Sequence, residues 1–356
     1  DQAFERSREP QNAKFRYSFD MLGEAALTRR EARGHYDDYA RAIAHLQAND
    51  ATSAHVFAAA GISVKLSALH PRFEHAQHAR VMSELVPQLA ELARLAKAGG
   101  LALTVDAEES ERLEVTLDVF AAVLADPALA GYDGFGLAVQ AYQKRAPAAI
   151  AWLAALARSH RKRIPLRLVK GAYWDSEIKR AQAAGLTGYP VFTRKAATDV
   201  SYLACVRSLL AERGVFYPQF ATHNAHTAAT VLELARGRND FELQRLHGMG
   251  EALYEVLLDG GLFPRPFCRV YAPVGSHEEL LPYLVRRLLE NGANTSFVHD
   301  LADARVPIEE LAADPVQKLR AYQGKPNPRI PLPRDVYLPV RRNSAGISFA
   351  DPLALA

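Results

Sequence analysis

Short apolar segments recur along this 356-residue chain, and each ends in residues that can do chemistry. The first ends at Asp20 and Glu24, Lys65 lies in the second, and Asp106 with Glu108 and Glu109 closes the third. Gln140 belongs to the fourth, Arg167 and Lys170 to the fifth, and Thr222, His223 and Asn224 to the sixth. His247-Gly-Met-Gly250 closes the seventh, and Arg269 with Tyr271 lies in the eighth. One charge at a strand end is often a solvated edge. A succession of polar ends is what a shared, ligand-binding mouth requires.

Lys65 sits within Ile62-Ser-Val-Lys65-Leu-Ser67. A lysine in an apolar strand must find a counter-charge or give up its proton. As an ammonium it would bind an anion, and as a free amine it would form a Schiff base. An edge lysine that snorkels to water would do neither. Asp106 ends Leu101-Ala-Leu-Thr-Val-Asp106 and needs a cation such as Lys65 or an arginine. Glu108 and Glu109 suit the opening turn of a following helix.

In Leu166–Trp174, strand alternation puts Arg167 and Val169 on one face and Leu168 and Lys170 on the other. Gly171 would let the backbone approach a ligand closely. Two cations followed by Tyr173 and Trp174 suit a planar, anionic ligand; a salt-bridged strand end with two packing aromatics is the alternative. Arg286, Arg287 and Glu290 lie on the last helical stretch, with Arg287 and Glu290 on one face. Adjacent arginines mark a solvated helix face or a bidentate clamp on a carboxylate.

Other candidates are weaker. His223, His226 and His247 lack the paired histidines and carboxylates of barrel metal sites, so no metal is expected. Gly134-Phe-Gly136 precedes a strand, unlike a dinucleotide fingerprint. Gly248-Met-Gly250 follows one and could cradle a phosphate, but the signal is slight.

The elements that must carry these groups follow from periodicity. Strands are expected at 15–22, 61–68, 101–107, 134–141, 165–171, 216–222, 242–247 and 267–272. Helices are expected at 29–46, 76–97, 110–125, 146–159, 195–212, 225–236 and 277–291. The stripe Val81, Leu85, Leu89, Leu92 and Leu95 exemplifies the helical period. The alternation implies parallel βα units and a closed α/β barrel, with an open doubly wound sheet as the other option.

The chain divides into a barrel over 1–312 and an arm over 313–356. Pro315, Pro326, Pro328, Pro331, Pro333 and Pro339 make that arm read as extended and loose.

Composition narrows the class. Half of the residues (49%) are hydrophobic, enough for a large core. The net charge of +3 is spread among mixed signs, so no nucleic-acid surface is read. Cys205 and Cys268 form no disulfide framework, which points to a reducing, cytoplasmic setting. No membrane span or signal peptide is visible. The chain starts at Asp1 without an initiating Met, as a fragment would.

Longer strings carry a resemblance. ISVKLSALHPRF (62–73), LTVDAEES (103–110), LAVQAYQKR (137–145), RLVKGAYWDSEIKRAQ (167–182), GYPVFTRKAATDVSYLAC (188–205), FATHNAHT (220–227), LHGMGE (246–251), RVYAPVG (269–275) and YLVRRLLENGANTSFV (283–298) resemble, in collinear order, the proline dehydrogenase domain of the bacterial proline utilization A family. RIPLPRDVY and NSAGISFADP in the arm look like the segment leading into that family's aldehyde dehydrogenase half. That half and an N-terminal DNA-binding domain are not in this sequence, so an excised catalytic domain is expected. Residues 48–60 and 251–266 fit the pattern less well.

The resemblance implies a distorted (β/α)₈ barrel with its last helix over the mouth, non-covalent FAD and L-proline as substrate. Arg286, Arg287 and Lys65 would hold the substrate carboxylate, and Glu290 would steady the last helix. Tyr173, Tyr271 and Leu246 would wall the ring, with Asp106 fixing neighbouring side chains. Arg167 would tune the flavin and Gln140 would bond its edge. Val169, Lys170, Gly171, Ala172, Trp174, Thr193, Lys195, Thr222, His223 and Asn224 would hold the rest of FAD. Electrons would pass to a quinone, which implies peripheral contact with the inner membrane face at most.

Overall fold

The computed structural model describes residues 2–49, 55–259, 261, 266–292 and 305–355. Its strands are β1 (Arg16–Met21), β2 (Gly61–Val64), β3 (Ala102–Val105), β4 (Phe135–Gln140), β5 (Ile164–Val169), β6 (Phe216–Ala221), β7 (Glu242–Leu246) and β8 (Phe267–Val274). Each pairs in parallel with the next, and β8 pairs with β1 from Arg16↔Arg269 to Met21↔Val274, closing the barrel. The fold is an eight-stranded α/β barrel.

Helices α1 (Arg29–Asn49), α2 (His78–Ala98), α3 (Leu113–Leu124), α4 (Ala146–His160), α5 (Trp174–Ala183), α6 (Lys195–Ala211), α7 (Ala225–Leu234), α8 (Glu251–Asp259) and α9 (His277–Gly292) follow the strands. The apolar stripe of α2 explains why they pack there. Val81, Leu85, Leu89 and Leu92 are wholly buried in the main core together with Leu103 and Val105 of β3. Full burial of such a side chain stabilises by about 1.5–3 kcal/mol, so four on one helix fix its face on the sheet.

Four features depart from the sequence expectations. β2 stops at Val64, and Leu66–Leu69 form a helical turn instead. The backbone there is claimed by other partners: Glu108 accepts from Ser67 N at 3.0 Å, and Ser67 O accepts from Ala26 N at 2.9 Å. α5 and α8 lie outside the expected helices; each is short, ten and nine residues, and α5 buries only Ile178 and Ala181 as apolar side chains.

The arm is less loose than its prolines suggest. Asp314 accepts from Val316 N at 2.9 Å and caps α10 (Pro315–Ala321), where Pro315 stands at the start and suits a helix. Farther on, Tyr189 donates to Pro331 O at 2.6 Å and Gly346 N to Gly185 O at 2.9 Å, tying the arm to the barrel.

The fourth departure is Arg269. It lies at the opposite end of β8 from the mouth, bonded to Glu242 and to the carbonyls of Tyr17, Phe57 and Ala59. Tyr271, two residues on, reaches the mouth. Residues 50–54, 260 and 262–265 in the two connections that fit poorly lie outside the described residues.

α9 lies across the barrel mouth. Arg286 bonds Glu24, just after β1, and stands 5.5 Å over the Tyr173 ring, just after β5. Those strands face each other across an eight-strand ring, so a helix touching both ends must span it.

Candidate active site

At the mouth, side chains from five strands close a buried polar cluster. Lys65 Nζ donates to Asp20 Oδ1 at 2.6 Å and lies 3.6 Å from Asp106 Oδ2. Asp106 takes Arg167 Nη1 at 2.6 Å on one oxygen and the Tyr271 hydroxyl at 2.7 Å on the other. The Arg167 guanidinium stands 4.9 Å over the Tyr271 ring, adding a cation–π contact. Lys65, Asp106 and Arg167 are 6%, 8% and 4% exposed, so these charges are resolved by one another and not by water.

The electrostatics decide the state of Lys65. Burial alone would drive its proton off, but Asp20 and Asp106 outweigh it and hold the pKa well above the usual lysine value. Burial works the other way on Asp20 and raises its carboxyl pKa against the pull of Lys65. We take the ammonium as the stable form, since two carboxylates face it. A lysine held this way is a poor Schiff-base nucleophile and a good anion-binding group. Burial, with Asp106 beside it, also raises the Tyr271 pKa, so the phenol stays a donor.

Over this cluster, α9 brings Arg286 in a bidentate pair with Glu24, Nη1 at 2.5 Å and Nη2 at 2.9 Å. Arg287 stands 5.3 Å over the Tyr283 ring, and its charge reaches His223 at the end of β6. The Glu290 side chain lies outside the described residues. Asp20, which holds Lys65, and Glu24 are the two participants to which the sequence assigned no role. The position of Glu24 just after β1 was visible, but not that an arginine 262 residues later would find it.

The segment after β5 is shaped by packing. Gly171 has φ +143, and a Cβ there would meet the Tyr142 ring at 2.4 Å. This close approach of the backbone to Tyr142 is what requires a glycine here. Ala172 N donates to Gln140 Oε1 at 3.2 Å, and Gln140 Nε2 donates to Glu108 O at 2.7 Å. Val169 ends β5, and its carbonyl accepts from Ala141 N at 2.8 Å. Trp174 donates to Phe192 O at 2.8 Å.

Lys170 and Lys195 share one aspartate, Asp199, at 2.5 and 3.2 Å. Thr193 Oγ1 accepts from Asn327 N of the arm at 3.2 Å. Thr222 Oγ1 accepts from Asn224 N at 3.1 Å, and Asn224 caps α7 by accepting from Thr227 N at 2.8 Å. His223 Nε2 accepts from Leu246 N at 3.1 Å, which puts any proton of the neutral ring on Nδ1. Burial first, then Arg287 and Arg245, lower its pKa to about 4. Among the described residues, no group of three His, Cys, Asp or Glu side chains is arranged to hold a metal.

A closed βα barrel with a polar cluster at the carboxyl ends of its strands and a helix across that mouth defines a (β/α)₈-barrel enzyme. The family described as proline dehydrogenase matches residues 3–300. Over its whole length the chain is 53% identical to the bifunctional protein PutA of Salmonella typhimurium and of Escherichia coli, covering 28% of each. A crystal structure of proline utilization A from Bradyrhizobium japonicum superposes with a TM-score of 0.93 at 60% identity, over 99% of this chain and 36% of that one. The chain belongs to the proline dehydrogenase family, a family of oxidoreductases. It spans less than a third of the length of these PutA relatives, 28% to 29%.

Proposed function

We propose that this chain is the proline-oxidising unit of a longer enzyme. It oxidises L-proline to Δ1-pyrroline-5-carboxylate with FAD, the first step of proline breakdown to glutamate, and its electrons pass on to a quinone. One observation carries the reading: Arg286, on the helix across the mouth, already holds a carboxylate, that of Glu24, in a two-pronged grip. A substrate carboxylate would share or displace Glu24 and meet the same fork, with Arg287 beside it and the Lys65 ammonium below.

The donor set fits FAD. Lys170 and Lys195 bring two ammonium groups together at Asp199, a pair of donors suited to a diphosphate. His223 offers Nδ1–H while staying neutral, and Gln140, Thr222 and Asn224 add polar atoms nearby. Val169, Gly171, Ala172, Trp174 and Thr193 would complete the walls. When bound, FAD supplies the hydride acceptor.

The chain's own residues orient the substrate. Tyr173, Tyr271 and Leu246 wall the ring so that the carbon next to its nitrogen faces the flavin. Asp106 holds Tyr271 and Arg167 in place, and the buried cations favour the substrate as its carboxylate. Glu290 would steady α9. The longer protein would carry an aldehyde dehydrogenase unit that consumes the ring-opened product. Among the described residues no helix is long and apolar enough to cross a membrane, so contact with a membrane quinone would be peripheral, from the cytoplasmic side.

The test is optical. Purified protein supplied with FAD is expected to show a flavin absorption band that bleaches when proline is added without an electron acceptor. Properly folded protein that takes up no FAD, or FAD-loaded protein that proline leaves unbleached, overturns the proposal.

A further inference from the structure

Beneath the mouth, along the barrel axis, a row of polar side chains runs down to the floor. Glu242, Gln244 and Leu246 alternate along β7, and the first two point inward with it. Arg167 donates from Nη1 to Asp106 (2.6 Å), from Nη2 to Ser63 Oγ (2.9 Å) and from Nε to Gln244 Oε1 (2.9 Å). Gln244 in turn donates from Nε2 to Glu242 Oε1 at 2.9 Å. Glu242 has no exposed surface, and Arg269, Gln219, Arg16 and Tyr217 supply further contacts at 2.7, 2.8, 3.3 and 3.3 Å.

The polarity of this row has one solution. Arg167 Nε–H can only donate, and an ionised Glu242 can only accept. The Gln244 amide therefore fits one way round, oxygen toward Arg167 and nitrogen toward Glu242. An amide free to turn over would set two donors face to face at Arg167.

We infer that Gln244 is a positioning residue for Arg167, and that Glu242 fixes the Gln244 amide in the orientation that does so. The inference rests on the flavin reading above, because the consequence arises only if Arg167 faces the cofactor. Gln244 touches neither substrate nor flavin. It acts by holding the guanidinium plane from below while Asp106 and Ser63 hold it from the sides. The competing account makes Glu242, Gln244 and Arg269 a stabilising ion cluster in the barrel floor, without consequence for the reaction.

The experiment uses FAD-loaded protein and compares Gln244→Met, Gln244→Asn and Tyr254→Phe. Met keeps the size and removes both hydrogen bonds; Asn keeps the amide but is one methylene too short to span both neighbours. Tyr254 donates to the carbonyls of Gln244 and Thr222 at 2.7 and 2.9 Å, so Tyr254→Phe weakens the same strand without touching the amide. The readouts are kcat and KM for proline, the midpoint potential of the bound flavin, and Tm.

Gln244→Met is expected to lower kcat about tenfold or more while KM stays within about twofold, the scale seen when a supporting hydrogen bond behind an active group is lost. The flavin potential should fall, because a cation that withdraws no longer stabilises the reduced cofactor. Tyr254→Phe should lower Tm and leave the potential unmoved. If Gln244→Met fails to retain flavin, Gln244→Asn is expected to show the same split, and wild-type kcat and potential in it would overturn the inference. Wild-type kcat and potential in Gln244→Met, or an equal potential shift in Tyr254→Phe, would also overturn it. A wild-type protein that proline does not bleach removes the flavin reading first, and this inference with it. Normal bleaching beside unmoved Gln244 variants removes this inference alone.

Discussion

Replacing Asp106 by Asn keeps its size and removes its charge. Asp106 accepts from Arg167 Nη1 at 2.6 Å and from Tyr271 Oη at 2.7 Å, with Lys65 Nζ 3.6 Å away. An Asn side chain has a single acceptor oxygen. Arg167 cannot reverse its polarity but the tyrosine hydroxyl can, so the oxygen would turn to Arg167 and the amide nitrogen to Tyr271. The bond with Tyr271 changes from one to a charged group, worth about 1.5–3 kcal/mol, to a neutral one worth about 0.5–1.5 kcal/mol, while the bond from Arg167 keeps one charged partner and loses its ion pair. The Tyr271 loss alone is about 1–1.5 kcal/mol, which at about 1.4 kcal/mol per decade is roughly a 5- to 10-fold effect, and the lost ion pair adds to it.

The sign of the KM change separates two roles. Removing a negative charge beside Lys65 makes the mouth more positive, so a substrate carboxylate should bind as well or better. The loss should therefore fall on kcat, with KM steady or lower. Steady-state kinetics with proline, beside flavin content and thermal melts of the same preparations, reads this directly. A variant with normal kcat and a raised KM would refute the reasoning, for it would mean that Asp106 binds substrate and does not organise its neighbours.

Arg286→Met and Arg287→Met are each expected to raise KM for proline by more than tenfold, since truncating one partner of a charged pair costs about 2–5 kcal/mol; unchanged KM in both rules out the clamp. His223, with its pKa lowered from 6.5 to about 4, binds its proton later in the folded state than in the unfolded chain. Its contribution to stability is thus intact above pH 6.5 and is lost as pH falls toward 4. Wild-type Tm should drop more steeply through that window than Tm of His223→Gln, and parallel curves would contradict the shift. Arg269→Met leaves the buried Glu242 with Arg16 as its remaining cation at 3.3 Å, and should cost about 3 kcal/mol or more in a denaturant titration. Stability equal to wild type would show that Arg16 suffices.

The sequence by itself determined the eight strands, seven of the nine helices α1 to α9, and four of the residues at the mouth. Lys65, Asp106, Arg167 and Tyr271 were all legible because in a parallel barrel the carboxyl end of every strand opens on the same side. A residue there is near the others whatever lies between them in the chain. The family strings then supplied roles that periodicity could not.

Only the tertiary structure decided which charges meet. Arg269 and Tyr271 are two residues apart on one strand, yet one belongs to the floor and the other to the mouth. A strand rises about 3.3 Å per residue, so two residues suffice to change layer, and no pattern in the sequence marks the level of the barrel's waist. The pairing of Arg286 with Glu24, and the row from Arg167 through Gln244 to Glu242, depend on closure of the sheet and on α9 crossing it. Gln244 carries no charge and lies in an ordinary strand. It gains meaning only from the donor above, Arg167, brought by a strand far away in sequence, and from Glu242 two residues before it, which Arg269 of the neighbouring strand pairs as a carboxylate.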